Sequence, residues 1–503
     1  MTLVQAILAG LFWTVAGLIA LNGLDDLLTD LGHHGRTLWR RLWVYGRHRR
    51  ACVARLPTLA ERPIAILVPA WSEAEVIGPM LASLRRSVRY RRYRVYLGVY
   101  PNDPLTPGAA EAVRHTPPAD RGARDRARDR AKDRARDWAG GRAGAAGDWL
   151  RIVPLDHDGP TSKADCLNAL YTAARADAPA VYLLHDAEDL VDPDALTVIN
   201  LLVGRYPMVQ LPVEPLAQPS WFGVANHYMD EFAESHGKDL PWREAVSGGV
   251  PSAGVGCGFA ADALDTLARA RGGRPFRPGS LTEDYEAALS LALALGNRGG
   301  RLILARVPRR PGAPPVATRA YFPHRFSAAV RQKARWYVGI AYQGWRLLGW
   351  PGGVVRRWVL LRDRKAPLVA VLALAGYGFV GAYGGYWLTA WLDGGAAAAS
   401  APAWGAAPGT LALVQVNLAL LAWRAGHRMV YTGRTYGWRQ GLWALARMPV
   451  ANLVNACAAV RAGWLVWGHV RSGRPLVWQK TEHSFPDPAR LPGPGRRPGE
   501  PAS

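Results

Sequence analysis

The chain has 503 residues, of which 62 are basic and 39 acidic, so its formal net charge is +23. Four scattered cysteines without a CxxC spacing argue against a disulfide framework or a zinc site, and predict reduced thiols in a cytoplasmic domain. Much of the positive charge flanks apolar segments, as on the cytoplasmic face of a membrane protein, so no nucleic-acid partner is expected.

The N-terminal segment is predicted to be a membrane helix. Residues 1–24 carry no charge and are long enough to span a bilayer. A cleaved signal peptide is the alternative, disfavoured because no basic region precedes the apolar run. Residues 25–62 are expected to form a basic cytoplasmic linker. Their charge places the N-terminus outside and the following domain in the cytoplasm, by the positive-inside rule.

Residues 63–350 are predicted to form one α/β domain, because short apolar strands alternate with helical patterns. Such a domain has a mostly parallel sheet, and its ligand lies beyond the carboxyl ends of the strands. Within it, residues 119–147 carry an RDRA repeat and are expected to be a low-complexity, solvated insertion. The strand candidates are PIAILVPA, YRVYLGVY, WLRIVPL, AVYLLH and PMVQLPV.

Membrane segments return in the last third of the chain. Residues 366–392 and 409–424 are predicted to be spanning helices, because they are apolar and almost free of charge. Residues 438–470 are predicted to form interfacial or broken membrane helices, because Arg447, Pro449 and Arg461 lie within the apolar run. Residues 471–503 are expected to be a cytoplasmic tail, disordered from about residue 487.

The segment HDAED follows a predicted strand and is a candidate metal site. Residues two apart at a strand end face the same side, so Asp186 and Glu188 point together while Asp189 points away. Two convergent carboxylates suit Mg²⁺ or Mn²⁺, which would also hold a diphosphate. Taken alone, an acidic loop after a buried strand is the more common interpretation. Asp103 is a further acid at a strand end.

The segment LTEDYE supplies Glu283 and Asp284 directly before a helical pattern. Taken alone, Thr282 and these acids are typical of an ordinary helix N-terminus. The functional alternative is that one carboxylate is a general base, which takes the proton of an acceptor hydroxyl. Lys163 also lies at a helix start, where a lysine and exposed amides suit phosphate.

The segment QKARW lies in an interfacial helix predicted within residues 325–350. Gln332 and Arg335 are three residues apart and share a helix face. Arg335 can bind diphosphate oxygens, and Trp336 offers a flat surface to a sugar ring. The alternative is an amphipathic helix on the membrane surface, and the two interpretations are compatible.

Together these motifs resemble the processive-type family 2 glycosyltransferases of bacterial membranes, a group that includes cellulose and hyaluronan synthases. That group has a nucleotide-binding Asp, a DxD-like motif, a TED motif and QxxRW in this order. The resemblance is greatest to the phage-adsorption protein B-like subgroup. It is carried by VPAWSEAEVIGPML, VYPND, HDGPTSKADCLN, HDAEDLVDP, GVPSAG and PLVWQKTEHSFP, and it covers nearly the whole chain to about residue 486.

The resemblance implies a nucleotide-diphospho-sugar transferase (GT-A type) domain flanked by transmembrane helices. It also implies a UDP-sugar donor, Mg²⁺ or Mn²⁺, an inverting mechanism and an exopolysaccharide-type product. On the family pattern Asp284 is the base, and Asp186 and Glu188 hold the metal. Nucleotide-sugar contacts are then expected from Glu73, Asp103, Lys163 and Asp186, and acceptor or diphosphate contacts from Glu283, Gln332, Arg335 and Trp336.

The leading hypothesis is a multi-pass inner-membrane glycosyltransferase that adds a sugar to a lipid or a growing glycan. One alternative is a catalytically silent scaffold of an envelope complex, against which the intact Asp284 and QKARW argue. Another is a metal-dependent phosphohydrolase, which does not explain QKARW. Two departures from the family pattern are Ser72, where Asn is frequent, and Glu188, in place of the second Asp of DxD.

The sequence leaves open which sugar and acceptor are used and whether an outer-membrane partner exports the product. Some members of the subgroup carry a C-terminal cyclic-di-GMP-binding domain. This chain ends soon after the HSFP segment, so direct activation by that nucleotide is not expected.

Overall fold

The computed structural model describes residues 3–57, 59–117, 148–220, 223–296, 301–392, 408–476 and 483–486. The predicted insertion, 119–147, lies outside the described residues, as does the tail from 487 onward. The predictions for those two segments therefore stay predictions.

A seven-stranded sheet forms the centre of the domain, in the order β3-β2-β1-β4-β7-β5-β8. Strands β3, β2, β1 and β4 are mutually parallel, β7 is antiparallel to both neighbours, and β8 is parallel to β5. Strands β6 and β9 form a separate parallel pair. The strands are β1 Ile64–Pro69, β2 Tyr93–Val99, β3 Leu150–Pro154, β4 Val181–Leu184, β5 Met208–Gln210, β6 Val213–Pro215, β7 Cys257–Ala260, β8 Leu302–Leu304 and β9 Thr318–Ala320.

Helices cover the sheet, and long apolar helices precede and follow the domain in the chain. Those of the domain are α2 Ala74–Ser87, α3 Leu105–Glu111, α4 Lys163–Arg175, α5 Ala195–Val203, α6 His227–Glu234, α7 Leu240–Ser247, α8 Ala261–Arg269, α9 Glu283–Leu295, α10 Phe326–Tyr337 and α11 Gly344–Leu348. The long helices are α1 Leu3–Trp39, α12 Val354–Leu392, α13 Pro408–Tyr436 and α14 Trp438–Ser472.

The core of the domain lies between the sheet and its helices. The central strand β1 is buried on both faces from Ile64 to Val68, as expected of a parallel strand covered by helices. The predicted α/β class with a mostly parallel sheet is confirmed, and the first four strand candidates form β1 to β4. The fifth candidate, PMVQLPV, divides into β5 and β6, and β7, β8 and β9 had no candidate.

Three helices are long and apolar enough to cross a membrane within the described part of the chain: Ala9–Val44, Val354–Ala382 and Trp438–Ser472. Helix α1 extends beyond the predicted span boundary at residue 24, because it continues to Trp39 and a π-helical turn follows to Val44. The helix accommodates charged residues beyond position 24 because they form ion pairs. Asp25, for example, lies 2.5 Å from Lys365 of α12. Much of the predicted linker is therefore helical.

The predicted break within residues 438–470 is also wrong, because α14 is one continuous helix that contains Pro449. Arg447 is tolerated because its guanidinium binds both carboxylate oxygens of Asp230 in α6, at 2.7 and 2.8 Å. The interfacial alternative for this helix stays a prediction. The predicted span 409–424 lies inside α13, which is not among the three apolar candidates.

Buried ion pairs join the domain to the long helices along one face of α6 and the π-helical turn Ser235–Asp239 that follows. Asp230, Glu234 and Lys238 are spaced four residues apart and so share that face. Asp230 pairs with Arg447 of α14, Glu234 with Arg428 of α13, and Lys238 with Asp30 of α1. This charged row ties three long helices to one surface of the domain.

Candidate active site

A cleft opens at the carboxyl ends of β1 and β4, where the topology of the sheet predicts a ligand. It has a volume of about 120 Å³. The loops after β1 and β4, the start of α4 and one face of α10 form its walls. Predicted site residues that line it are Glu73, Lys163, Asp186, Glu188, Gln332 and Arg335.

Lys163 links the two acidic motifs that the sequence placed about a hundred residues apart. Its ammonium lies 2.5 Å from Asp186 and donates to the carbonyl of Gly254 at 3.3 Å. Burial opposes the charge, but the carboxylates of Asp186, Glu283 and Asp284 hold the pKa of Lys163 above its usual value. The first residue of α4 therefore sits at the centre of the acids.

Asp284 approaches the backbone of Gly254, which has a φ of +75°. A Cβ atom there would lie 2.9 Å from the Oδ2 atom of Asp284 and 3.3 Å from the Nζ atom of Lys163. Glycine therefore gives the acid room, as the glycine-rich segment suggested. Thr282 makes no side-chain cap bond at the start of α9, so the helix-cap alternative lacks its hydroxyl contact.

Glu283 is buried, Asp284 is half-buried, and their charges interact. Burial and the charge of Asp284 raise the pKa of Glu283 to about 7, while Lys163 opposes the rise. Burial also raises the pKa of Asp284, again against the pull of Lys163. A carboxylate with a raised pKa is a stronger base than an exposed one, as a general base requires.

Glu188 lies on the other side of the cleft, among further acids. Burial raises the pKa of Glu188 to about 8, the charges of Asp186, Asp189 and Glu73 add to the rise, and His483 opposes it. Asp189 turns away from the cleft and accepts from the buried imidazole of His185 at 2.7 Å. The three acids of HDAED thus have separate partners, and Asp189 has a structural one.

The sequence did not point to His483, which the fold brings into the cleft from the predicted tail. Its Nδ1 atom lies 3.0 Å from Glu73, and its Nε2 atom lies 3.4 Å from Glu188. Although burial opposes the imidazolium, these carboxylates raise the pKa of His483 to about 9. Phe485 packs against the core and helps to fix the segment. His483 lies in the segment PLVWQKTEHSFP, which carried part of the family resemblance. No local pattern in the sequence shows that this segment reaches the cleft.

Asp103 lies beside the cleft and holds its first loop in place. Its Oδ2 atom accepts from the backbone of Ser72 at 2.5 Å, and its Oδ1 atom accepts from Thr106 at 3.3 Å. Ser72 has a φ of +57°, a left-handed conformation that disfavours most side chains. The hydrogen bond from Ser72 to Asp103 helps to hold that conformation. The nucleoside contact predicted for Asp103 stays a prediction.

Helix α10 divides the QKARW motif between the cleft and the interior. Gln332 and Arg335 face the cleft, and the Oε1 atom of Gln332 is buried without a hydrogen-bond partner among the described residues. Lys333 points the other way, to Glu231 at 2.5 Å and Asn455 at 2.7 Å. This buried contact anchors the helix on α6 and α14.

Trp336 does not line the cleft. Its ring packs edge-on against Tyr228, with 6.1 Å between centroids, and against Phe232 at 6.4 Å. Trp336, which was predicted to offer a flat surface to a sugar ring, therefore lies in an aromatic cluster on the side of α10 that faces away from the cleft. The amphipathic spacing of the helix explains the difference, since Trp336 follows Arg335 by one position and so faces another side.

Comparison with known proteins shows similarity to glycosyltransferases. Residues 181–398 match the glycosyl transferase family group 2. Over 500 residues the chain is 33% identical to bacteriophage adsorption protein B of Escherichia coli K12, an alignment that covers 94% of the chain and 62% of that protein. Bacteriophage N4 adsorption protein B of Escherichia coli O157:H7 is equally similar. Residues 181–398 therefore form a segment of the family 2 glycosyltransferase type.

The glycosyltransferase match agrees with the α/β domain of the nucleotide-diphospho-sugar transferase type. Among solved structures, the chain is similar to a mannosyltransferase from Pyrobaculum calidifontis in complex with GDP-Man and Mn²⁺. The identity is 16% and the TM-score 0.46, with 90% of this chain and 99% of that one covered. That likeness is too distant to bear on the donor or the metal. The chain spans 62% of the length of the curated relatives it matches.

Proposed function

We propose that this glycosyltransferase transfers a sugar from a UDP-sugar to a lipid or a growing exopolysaccharide at the cytoplasmic face of the inner membrane. The observation that carries the proposal is the position of Lys163, which lines the cleft beside Asp186 of HDAED and also interacts with the acids of LTEDYE behind it. A donor diphosphate near Lys163 and Arg335 would have its charge balanced. An acceptor hydroxyl near Asp284 would have a base.

The divalent metal implied by the resemblance fits the residues present. Asp186 and Glu188 line the same cleft, and the pKa of Glu188 is raised by its burial and, to a smaller extent, by the acids around it. Within the described residues no group of three or more His, Cys, Asp or Glu is placed to hold a metal ion. Two carboxylates with phosphate oxygens and water are a usual set for Mg²⁺. When bound, Mg²⁺ or Mn²⁺ would neutralise charge on the leaving diphosphate.

In the proposed reaction Asp284 takes the proton of the acceptor hydroxyl as its oxygen forms a bond to the anomeric carbon. The bond from that carbon to the β-phosphate oxygen breaks, and UDP leaves with the electron pair. Lys163, which is paired with Asp186 in the structure, is placed to stabilise the departing charge. Arg335 reaches the same cleft from α10.

Purified full-length protein in detergent should release UDP from one member of a panel of UDP-sugars. Asp186→Ala should abolish that release, while Asp262→Ala, at an exposed helix start outside the cleft, should retain it. Failure of every UDP-sugar together with release from another nucleotide sugar would overturn the donor assignment. Release by Asp186→Ala at the parent rate would remove the acid pair from the mechanism.

A further inference from the structure

A second cavity, of about 180 Å³, lies where the domain meets the C-terminal end of α13. Strand β6, the end of α6, the loop 312–315 and the last turn of α13 enclose it. Its polar lining consists mainly of donors, which are supplied by His236, Arg306, Arg434 and Tyr436. Nothing in the proposed sugar transfer uses this cavity, which we call the junction pocket.

The two arginines of the junction pocket differ from nearby Arg428, which is paired with Glu234. Within the described residues, neither Arg306 nor Arg434 has a carboxylate at ion-pair distance. The acid that lines the pocket, Glu214, is occupied by Arg319 at 2.7 Å. The rim of the pocket therefore carries two solvent-exposed arginines that are free of ion pairs within the described residues.

Both arginines are already held in position. Arg306 donates to the carbonyl of Gly237 at 3.1 Å, which leaves other guanidinium N–H groups for a ligand. Arg434 lies over the ring of Tyr431, 5.7 Å from its centroid. Ordering these side chains on binding would therefore cost less conformational entropy than ordering free ones.

Two neutral donors complete the lining. The backbone of Val213 donates to the Nδ1 atom of His236 at 2.9 Å, so a neutral His236 carries its proton on Nε2. Burial lowers the pKa of His236 to about 3, which keeps the ring neutral. Tyr436 is only 3% exposed, and its hydroxyl is buried without a hydrogen-bond partner among the described residues. An unpaired buried hydroxyl is costly, which indicates a missing acceptor.

The surroundings of the junction pocket favour a lipid. The positive charges of Arg50 and of Arg306 lie close enough to affect each other. The π-helical turn after α1 exposes Leu42 and Trp43, by 63% and 57%, next to Arg40 and Arg41. Apolar side chains beside arginines at the end of a membrane-type helix are typical of contact with anionic headgroups.

We infer that the junction pocket binds the phosphate group of an anionic phospholipid, through Arg306, Arg434, the Nε2–H group of His236 and the hydroxyl of Tyr436. A phosphodiester offers two charged oxygens as acceptors for these donors. Its acyl chains would lie along the exposed apolar side chains of α1. This site is independent of the donor cleft, so its failure would leave the proposed transfer untouched.

The test uses the full chain in detergent and a thermal-shift titration with dihexanoyl phosphatidylglycerol. Dihexanoyl phosphatidylcholine has the same chains and no net charge, and glycerol phosphate is the headgroup without chains. The parent protein should bind phosphatidylglycerol best. Arg306→Gln and Arg434→Gln should each weaken that binding about fivefold, since each cation near a lipid surface contributes about that factor. Arg269→Gln, an exposed arginine of α8, is the matched control and should leave binding unchanged.

Tyr436→Phe tests the pocket with a variant that is not expected to misfold. It removes a hydroxyl without a partner, so the protein without lipid should unfold at the same or a higher temperature, yet bind phosphatidylglycerol more weakly. Equal binding of phosphatidylcholine, or full binding by the arginine variants, would overturn the inference. Glycerol phosphate bound as tightly as the lipid would also overturn it, in favour of a free phosphate ester.

Discussion

Replacing the carboxylate of Asp284 by an amide tests the proposed base most directly. Asp284→Asn keeps the shape of the side chain beside Gly254 and removes its basic lone pair. The metal-type acids of the opposite wall, Asp186 and Glu188, are unchanged. We therefore expect UDP and metal to bind nearly as in the parent, while sugar transfer is lost.

The size of the loss follows from what a positioned base contributes. A general base typically accelerates transfer by about 10² to 10⁴, so Asp284→Asn should slow it by at least about a hundredfold. Glu283→Gln should lose less. Because burial raises the pKa of Asp284, the fold holds this charge at a cost, and the amide should not lower the unfolding temperature.

The assay measures UDP binding by titration, and transfer by label incorporated into the acceptor fraction. Asp262→Asn is the matched control, since this acid also lies in the first turn of a helix but outside the cleft. Transfer by Asp284→Asn within about tenfold of the parent would refute the assignment. The acid would then be a helix-start residue, and another group would have to be the base. Equal losses of UDP binding and transfer would instead make Asp284 a binding residue.

Three further outcomes are expected. The rate of transfer should fall as the pH drops, with a midpoint above that of an exposed aspartate, because burial raises the pKa of Asp284 and the base must be ionised to act. Asp186→Ala should abolish metal-dependent UDP binding at unchanged stability, whereas Asp189→Ala should cost about 1–3 kcal/mol because a buried imidazole loses its acceptor. Arg447→Ala should cost about 3–5 kcal/mol in unfolding free energy, because Asp230 is left buried without its partner.

A specific result would contradict each of these three predictions. A transfer rate that is flat between pH 5 and 9, at saturating donor, would separate the acid pair from the chemistry. Equal UDP binding by Asp186→Ala and the parent would place the metal elsewhere. Arg439→Ala, at an exposed position near the start of the same helix, is the control for Arg447→Ala and should be neutral. Equal stability of the two variants would show that the buried row of charges does not hold the helices.

The sequence by itself located the first strands of the domain, whereas β7, β8 and β9 had no candidate. Alternation of short apolar runs with amphipathic ones is a local property, so strands such as Ile64–Pro69 and Val181–Leu184 could be located before any fold was known. The carboxyl ends of parallel strands share one edge, which brought Asp186 near the loop of Glu73. The resemblance then supplied the roles of the acids, which spacing alone could not.

The tertiary structure decided the rest, because the deciding contacts join residues that are far apart in the chain. Nothing near His483 in the sequence indicates that it meets Glu73, 410 residues away. The helix of residues 438–472 continues through Arg447 because Asp230, on another helix, satisfies its charge. From the sequence, an arginine in an apolar helix implies the high cost of burying an unpaired charge. The ion pair with Asp230 offsets that cost, and this partner is visible only in the folded chain.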